Sequence, residues 1–295
     1  MQTIVVVGTG HMAPGIAAAC ALAGSDVTIS GRNPARVEAA AQAAARLAGR
    51  AVLGAPLDAG PFAAATVAIE TVIEDRAVKQ ELLGTIESWL SEEAVLATNT
   101  SSLPIHELAE ALRRPDRFAG LHFLNPAQLT AVVEVVPGPA TSPATVGRLV
   151  ELVRRMSKQP LVLRSDTPGF IWNRIQFAVL RECLHILDEG VADAPAIDAA
   201  VSDGLAPRWL AAGPLATVDL GGVDTFRRAA EYLLPRLAST GAVPESLSGK
   251  AAAGGSFYRW TPASTTAIET LRAEALDVGR RLAERRAAAA PDPSG

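Results

Sequence analysis

The chain has few of the residues that mark several classes of protein. Its 295 residues include only two cysteines, Cys20 and Cys183, which form no C-x-x-C pair and no Cys/His cluster. A disulfide framework and a structural zinc site are therefore not expected. Both thiols are predicted to be buried, in a protein of the reducing cytoplasm.

Excess positive charge and long apolar runs are also missing. The 27 Lys and Arg are outnumbered by 31 Asp and Glu, which gives a net charge of −4, and no basic run is present. A nucleic-acid partner is not expected, because binding to phosphates needs a basic field. No apolar stretch reaches the roughly 18 residues of a membrane span, and no basic segment precedes the first strand. We predict a soluble, cytosolic protein without a membrane partner.

Strands and helices alternate from residue 2 onward, which predicts an α/β fold with a doubly wound, Rossmann-type sheet. Helices are predicted at 16–22, 34–48 and 145–156, and strands at 4–7, 27–29, 51–53, 66–69, 94–97, 118–122, 132–136 and 161–163. After residue 166 the pattern is helical, at 170–189, 194–202, 223–239 and 265–286. We therefore predict a dinucleotide-binding domain at 1–165, a helical substrate and dimerisation domain at 166–287, and a disordered tail at 288–295.

The first strand is followed by a glycine-rich turn, GTGHMA at residues 8–13. It fits the dinucleotide-binding pattern G-x-G-x-x-G/A between a strand and a helix. In that pattern Gly8 forms the tight turn, Gly10 admits a pyrophosphate and Ala13 lets the helix pack closely. His11 and Met12 complete the predicted cofactor turn, with His11 as a solvent-facing loop residue and not a catalyst. The alternative is a glycine turn that binds no nucleotide.

Further stretches resemble, in order, the signatures of the 3-hydroxyacyl-CoA dehydrogenase family. They read NTSSLPI at 99–105, GLHFLNP at 120–126, VEVV at 133–136 and DTPGFIWNR at 166–174, with looser matches at 70–79 and 255–260. The resemblance covers about residues 1–260. It implies a Rossmann domain, a helical C-terminal domain and a homodimer.

Hydride transfer at a carbinol needs a base, and His122 ends a predicted strand where ligands of such sheets bind. Glu134 is placed to fix its tautomer and to stabilise the imidazolium. The resemblance implies this His–Glu dyad, and it implies that Ser101 and Asn173 bind the reacting oxygen or the neighbouring carbonyl. Considered alone, His122 would be a core histidine, Glu134 a solvated strand residue and Ser101 a helix N-cap.

The same resemblance places further residues at the cofactor: Glu74, Lys79, Asn99 and Asn125. His106 and His185 lack such company, and we interpret them as a surface helix residue and a partly buried helix residue.

Three features depart from the family. An acidic residue ends the second strand of NAD-binding members, whereas Ser30, Gly31 and Arg32 stand here, which predicts a preference for NADP over NAD. The family's longer helical arm, which helps to hold CoA, is absent between residues 31 and 66. Ala252 stands where the family has a lysine, with Lys250 two positions earlier.

These observations predict an NAD(P)-dependent enzyme that interconverts 3-hydroxyacyl and 3-oxoacyl thioesters carried by CoA or by an acyl carrier protein. One alternative is a dehydrogenase of free hydroxy acids on the same scaffold, which Arg208 and Trp209 before Gly213 favour. The other is a nucleotide-binding sensor without activity, which a broken dyad would indicate.

Overall fold

A computed structural model describes residues 2–289, with side chains described to residue 285. The chain divides into two compact units, Met1–Arg174 and Ile175–Gly295. No helix in the described part of the chain is long and apolar enough to cross a membrane.

The first unit is built on a sheet that has eight strands in its described residues, in the order β3-β2-β1-β4-β5-β6-β7-β8. The strands are β1 (Thr3–Val7), β2 (Asp26–Gly31), β3 (Leu53–Pro56), β4 (Val67–Glu70), β5 (Val95–Thr98), β6 (Phe118–Phe123), β7 (Val132–Pro137) and β8 (Gln159–Val162). All neighbouring strands are parallel except β6 and β7. The predicted α/β Rossmann fold is confirmed.

Helices cover both faces of this sheet, so its central strands carry apolar side chains on both faces. The helices are α1 (Ala13–Leu22), α2 (Pro34–Ala48), α3 (Arg76–Trp89), α4 (Ile105–Ala109) and α5 (Pro143–Arg155). One cluster of buried side chains includes Ile4, Val6 and α1, and a second includes Val5, Val7 and Leu83 of α3. The alternation along β1 therefore supplies both layers of the core.

Helices form the second unit. They are α6 (Trp172–Asp188), which begins in the last residues of the first unit, α7 (Ala194–Ala199), α8 (Ala206–Ala212), α9 (Pro214–Gly221), α10 (Val223–Leu233), α11 (Glu245–Ala252) and α12 (Pro262–Ala289). A π-helical turn, Ala200–Leu205, joins α7 to α8. Among the described side chains of this unit, only Leu184 and Ile197 are buried.

Several predicted elements need correction. Helices α3, α8, α9 and α11 were not predicted, and β3 begins at Leu53, where the predicted strand ended. Helix α12 continues to Ala289, two residues into the predicted tail, and residues 290–295 lie outside the described residues. Cys20 is buried as predicted, but Cys183 is partly exposed.

Candidate active site

The turn after β1 has the geometry of a dinucleotide cradle. Gly8 has φ +120°, and a Cβ there would lie 2.8 Å from Thr71 Oγ1, so a side chain is excluded twice. Gly10 is exposed, and a Cβ built there would meet no atom closer than 3.9 Å. Ala13 is fully buried at the start of α1. The space above Gly10 fits a close backbone approach to a diphosphate at a helix N-terminus.

The end of β2 differs from what we predicted. Ser30 is fully buried and its hydroxyl donates to the Pro56 carbonyl at 2.8 Å, so in this structure its donor is used within the sheet. A Cβ at Gly31 would lie 3.1 Å from methyl groups of Thr9 and Val37, so this glycine is needed for packing. Arg32 is exposed. Of the predicted phosphate ligands at this strand end, Arg32 is the side chain directed to solvent.

His122 and Glu134 meet directly across the antiparallel pair of β6 and β7, where they are register partners. Residues opposite each other on such a ladder share one face of the sheet. The Nδ1 atom of His122 lies 2.6 Å from Oε2 of Glu134, and their side chains are 6% and 1% exposed. The structure therefore brings the predicted pair together, and Glu134 is not a solvated strand residue.

The second carboxylate oxygen of Glu134 binds the segment before α6. Oε1 accepts hydrogen bonds from the Ile171 and Trp172 amides, both at 2.9 Å. Phe170, which has φ 51°, packs its ring edge-on to His122 with centroids 5.6 Å apart. Sequence reasoning missed these contacts, because the matched motif carries them in backbone amides.

This environment keeps Glu134 ionised. Burial alone would raise the pKa of Glu134, but hydrogen bonds from His122 and from the Trp172 and Ile171 amides lower the pKa below its ordinary value. An anion at Nδ1 favours the tautomer in which Nδ1 carries the proton and Nε2 has a free lone pair. Among the described residues nothing hydrogen-bonds Nε2, so this nitrogen is available for an incoming proton.

Ser101 lies in a loop that is gathered around Glu74. The Oε1 atom of Glu74 accepts from Thr100 Oγ1 at 2.6 Å and from the Ser101 and Ser102 amides at 2.8 and 3.0 Å. Burial would raise the pKa of Glu74, but the hydroxyl of Thr100 and the charge of Lys79 bring it to about 2. Helix α4 begins at Ile105 after an N-cap at Pro104, so Ser101 is not a helix N-cap.

Asn173 and Asn99 connect the loop at residues 99–102 to the segments that follow the dyad contacts. Asn173 donates from Nδ2 to the Ser101 carbonyl at 2.9 Å. Asn99 accepts the Phe123 amide at 2.8 Å, immediately after His122. Two of the predicted substrate ligands, Ser101 and Asn173, are therefore adjacent in the structure.

Lys79 lies in a buried ion pair that the sequence analysis did not predict. Its ammonium is 2.8 Å from Oε1 and 2.9 Å from Oε2 of Glu70, and 3.4 Å from Oε2 of Glu74. Glu70 ends β4, a strand with no polar face, and such a position demands a partner for its charge. A glutamate at the end of this apolar strand indicated a buried partner, although it did not identify Lys79.

A cleft of about 160 Å³ lies between the N-terminus of α1 and the loop after β6. Its lining includes His11, Met12, Asn125 and Gln128. The structure thus brings the predicted cofactor residues His11, Met12 and Asn125 to one cleft, and His11 is exposed as predicted.

The other histidines and Lys250 have the following surroundings. His106 is exposed on α4 and its Nδ1 is 2.7 Å from Asp166 Oδ2. His185 is partly buried on α6, as predicted. Lys250 donates to the Ser256 carbonyl at 3.0 Å. Among the described residues no cluster of three or more His, Cys, Asp or Glu could hold a metal ion.

Comparison with known families decides the membership. The model of the 3-hydroxyacyl-CoA dehydrogenase NAD-binding domain matches residues 3–58 and 48–167, and that of the C-terminal domain matches residues 169–263. The chain belongs to the 3-hydroxyacyl-CoA dehydrogenase family. The N-terminal family model is described as an NAD-binding domain.

Two groups of relatives resemble the chain. A 5-formyl-3-hydroxy-2-methylpyridine 4-carboxylate 5-dehydrogenase of Mesorhizobium japonicum is 30% identical over 97% of this chain and 99% of its own. A 3-hydroxybutyryl-CoA dehydrogenase of Bradyrhizobium diazoefficiens is 35% identical over 76% of this chain and 81% of its own.

Solved structures divide in the same way. A crystal structure of the 5-formyl-3-hydroxy-2-methylpyridine 4-carboxylic acid 5-dehydrogenase, described as an NAD+-dependent dismutase, has a TM-score of 0.88 at 28% identity, covering 99% of this chain and 100% of that one. The (S)-3-hydroxybutyryl-CoA dehydrogenase of Ralstonia eutropha has a TM-score of 0.71 at 29% identity, covering 88% and 99%.

Proposed function

We propose that the chain transfers hydride between a nicotinamide cofactor and a secondary alcohol or ketone, with His122 and Glu134 as its acid/base dyad. The observation that carries this is the 2.6 Å contact between the two buried side chains, with no hydrogen bond to Nε2 of His122 from any described residue. Such a base typically contributes about 10²–10⁴-fold to the rate.

In the oxidative direction Nε2 of His122 accepts the proton of the substrate hydroxyl while the carbinol hydrogen leaves as hydride. A bound nicotinamide supplies the acceptor for that hydride. Glu134 stabilises the imidazolium that forms, and it is held in place by the Ile171 and Trp172 amides. Ser101 and Asn173 orient the reacting oxygen or the neighbouring carbonyl. The reverse reaction returns the proton from His122.

For the cofactor we propose the cradle at Gly8, Gly10 and Ala13, together with His11 and Met12 in the adjoining cleft. Asn125 lines the same cleft. Contacts of Asn99, Glu74 and Lys79 with the cofactor stay predictions. All three also hold loops of this site through the hydrogen bonds and ion pairs described above.

We further propose a preference for NADP over NAD, supported by the end of β2. The last residue of β2 is Gly31, with no carboxylate to bind a ribose hydroxyl or to repel a phosphate. The guanidinium of Arg32 is exposed beside it, and Arg36, also exposed, follows one turn into α2. A planar guanidinium binds phosphate oxygens in a bidentate manner.

The first candidate substrate is a 3-hydroxyacyl or 3-oxoacyl thioester on CoA or on an acyl carrier protein. Its support is the family and the several relatives named as 3-hydroxybutyryl-CoA dehydrogenases.

The second candidate is a free hydroxy or oxo acid, which two observations favour. The relative that matches almost the whole chain is named for a pyridine carboxylate, a compact acid. Between β2 and β4 the chain has α2, β3 and one three-residue 3₁₀ turn, so no helical arm is present to hold CoA.

A panel of matched substrates separates the two. The same 3-oxoacyl group is offered as free acid, pantetheine thioester, CoA thioester and carrier-protein thioester, with oxidation of NADPH and NADH followed. With so few remote contacts, we expect the pantetheine thioester to match the CoA thioester in kcat/KM. A hundredfold advantage for CoA, about 2.7 kcal/mol, would reveal a CoA site. A free acid that is turned over better than every thioester would establish the second candidate.

We also propose a homodimer. The helical unit leaves large apolar side chains exposed, including Leu215 at 82%, Leu220 at 81% and Phe177 at 60%. These side chains are candidates for burial in a protein interface, and a second copy is the occupant that the family resemblance implies.

A further inference from the structure

The proposed reaction does not use the buried carboxylate of Glu70. Glu70 is 0% exposed at the end of β4, and Lys79 of α3, its ion-pair partner, is 1% exposed. A buried ion pair is weak evidence for stability, because desolvation offsets much of the attraction between the charges. The role of the pair is therefore sought in the other groups that Glu70 and Lys79 bind.

One set of contacts leads from Glu70 through the neighbouring strand. Oε1 accepts the Val72 amide at 2.5 Å, and Oε2 accepts the Thr98 hydroxyl at 2.6 Å. Thr98 ends β5 and is the register partner of Glu70. The Thr98 oxygen in turn accepts the Thr100 amide at 3.2 Å. Glu70 is thereby linked to the residue that precedes Ser101.

A second set of contacts reaches the same loop through Lys79. The ammonium that Glu70 holds lies 3.4 Å from Oε2 of Glu74. Oε1 of Glu74 then accepts from Thr100 and from the amides of Ser101 and Ser102. Both routes begin at Glu70 and converge on residues 100–102.

We propose that Glu70 is a positioning residue, which holds the loop 99–102 and thereby places Ser101 at the dyad. This rests on the proposed function, because it assigns Ser101 to the reacting oxygen. The carboxylate of Glu70 accepts from three donors: Lys79, Val72 and Thr98. A glutamine is neutral and has a single acceptor oxygen, so it removes the charge opposite Lys79 and can no longer accept from Val72 and Thr98 at the same time.

The test compares Glu70→Gln with a matched control, Glu87→Gln. Glu87 is also a buried carboxylate, 5% exposed on α3, and it accepts the Arg113 and Arg114 amides at 3.0 and 2.8 Å. Two readouts are taken from each variant: hydrogen exchange of the amides of Ser101 and Ser102, and kcat separately from the KM of the cofactor.

For Glu70→Gln we expect exchange at Ser101 and Ser102 to rise at least tenfold and kcat to fall at least tenfold. The KM of the cofactor should rise by a smaller factor than kcat falls, because Lys79, whose charge Glu70 balances, is itself a proposed cofactor contact. Glu87→Gln should leave both amides and kcat within about threefold of the wild type, although both variants lose a buried carboxylate. A tenfold change in either quantity corresponds to about 1.4 kcal/mol.

Thr98→Val provides a second variant if Glu70→Gln does not fold, because it retains the Glu70–Lys79 ion pair and is nearly isosteric. It should raise exchange at Ser101 and lower kcat in the same direction by a smaller factor. Unchanged exchange in the folded variants would overturn the proposal, as would faster exchange with unchanged kcat. Failure of the proposed function is distinguishable, because His122→Ala would then retain turnover whatever the exchange shows.

Discussion

The two units of the chain bury their residues in opposite ways. In the first unit apolar side chains fill both faces of the sheet, and the buried groups include charged residues such as Glu70, Lys79 and Glu134. In the second unit Leu184 and Ile197 are the buried residues among the described side chains, while Leu215 and Leu220 are more than 80% exposed.

This contrast indicates a division of labour. Buried charges need a rigid frame that satisfies each donor and acceptor, and the strand ends of the first unit supply one. The second unit presents apolar helix surfaces that have no such internal frame. The proposed proton transfer lies in the first unit, and the proposed association would use the second.

The largest effect is expected from Glu134→Gln. A glutamine can still accept the Ile171 and Trp172 amides, but it cannot stabilise an imidazolium at His122. We expect kcat to fall by about 10²–10⁴-fold, measured by nicotinamide absorbance. Glu87→Gln, which removes a buried carboxylate that binds two amides, should retain kcat. Equal losses in the two variants would mean that general destabilisation is responsible.

A smaller effect is expected from Arg32→Ala. Loss of a charge-assisted contact with the 2′-phosphate should reduce kcat/KM with NADPH about tenfold, roughly 1.4 kcal/mol, and leave NADH unaffected. Arg46→Ala, at an exposed position late in α2, serves as the control. Gly31 is left unchanged, because a Cβ there would crowd Thr9 and Val37. A wild-type enzyme that prefers NADH would contradict the NADP assignment.

The helical unit should respond to protein concentration. If a second copy covers its exposed apolar surface, association stabilises the folded state by mass action and the unfolding temperature rises with concentration. Light scattering should give twice the 30.6 kDa of one chain. A monomer at all concentrations, with a constant unfolding temperature, would contradict the proposed role of the helical unit in association.

The smallest effect concerns the pH dependence of stability at Glu74. Its folded pKa, about 2, lies below the unfolded value, so its contribution is complete above about pH 4.5 and is lost as pH falls toward 2. After discounting for partial exposure, this amounts to roughly 1 kcal/mol. Urea midpoints of wild type and Glu74→Gln, measured between pH 6 and pH 3, should converge on acidification. A difference independent of pH would contradict this.

Local patterns predicted the parts of the fold that depend on local order. The β-branched run of β1, the glycine turn and the Asn33-capped helix α2 lie where their signals indicated. The strand order and the antiparallel β7 were not predicted, because they depend on pairing between distant segments. Helices α8, α9 and α11 are short and carry weak apolar periodicity, so they were missed as well.

In the site, too, contacts between distant segments were predicted only where a family motif indicated them. His122 and Glu134 were predicted as a pair because their motif positions matched a family, and the ladder of β6 and β7 confirms their contact. The burial of Ser30 was not predicted, since it depends on Pro56 in another strand. The Glu70–Lys79 pair was missed because each residue alone suits a strand end or a helix surface.

The most direct test of the central claim is His122→Ala, with turnover and cofactor affinity measured on the same preparation. The imidazole is assigned to the substrate proton and not to the dinucleotide. The account therefore predicts loss of most turnover, about 10²–10⁴-fold in kcat, with the Kd of the cofactor by calorimetry near the wild-type value. Turnover within threefold of the wild type would contradict it and assign the acid/base role to another residue.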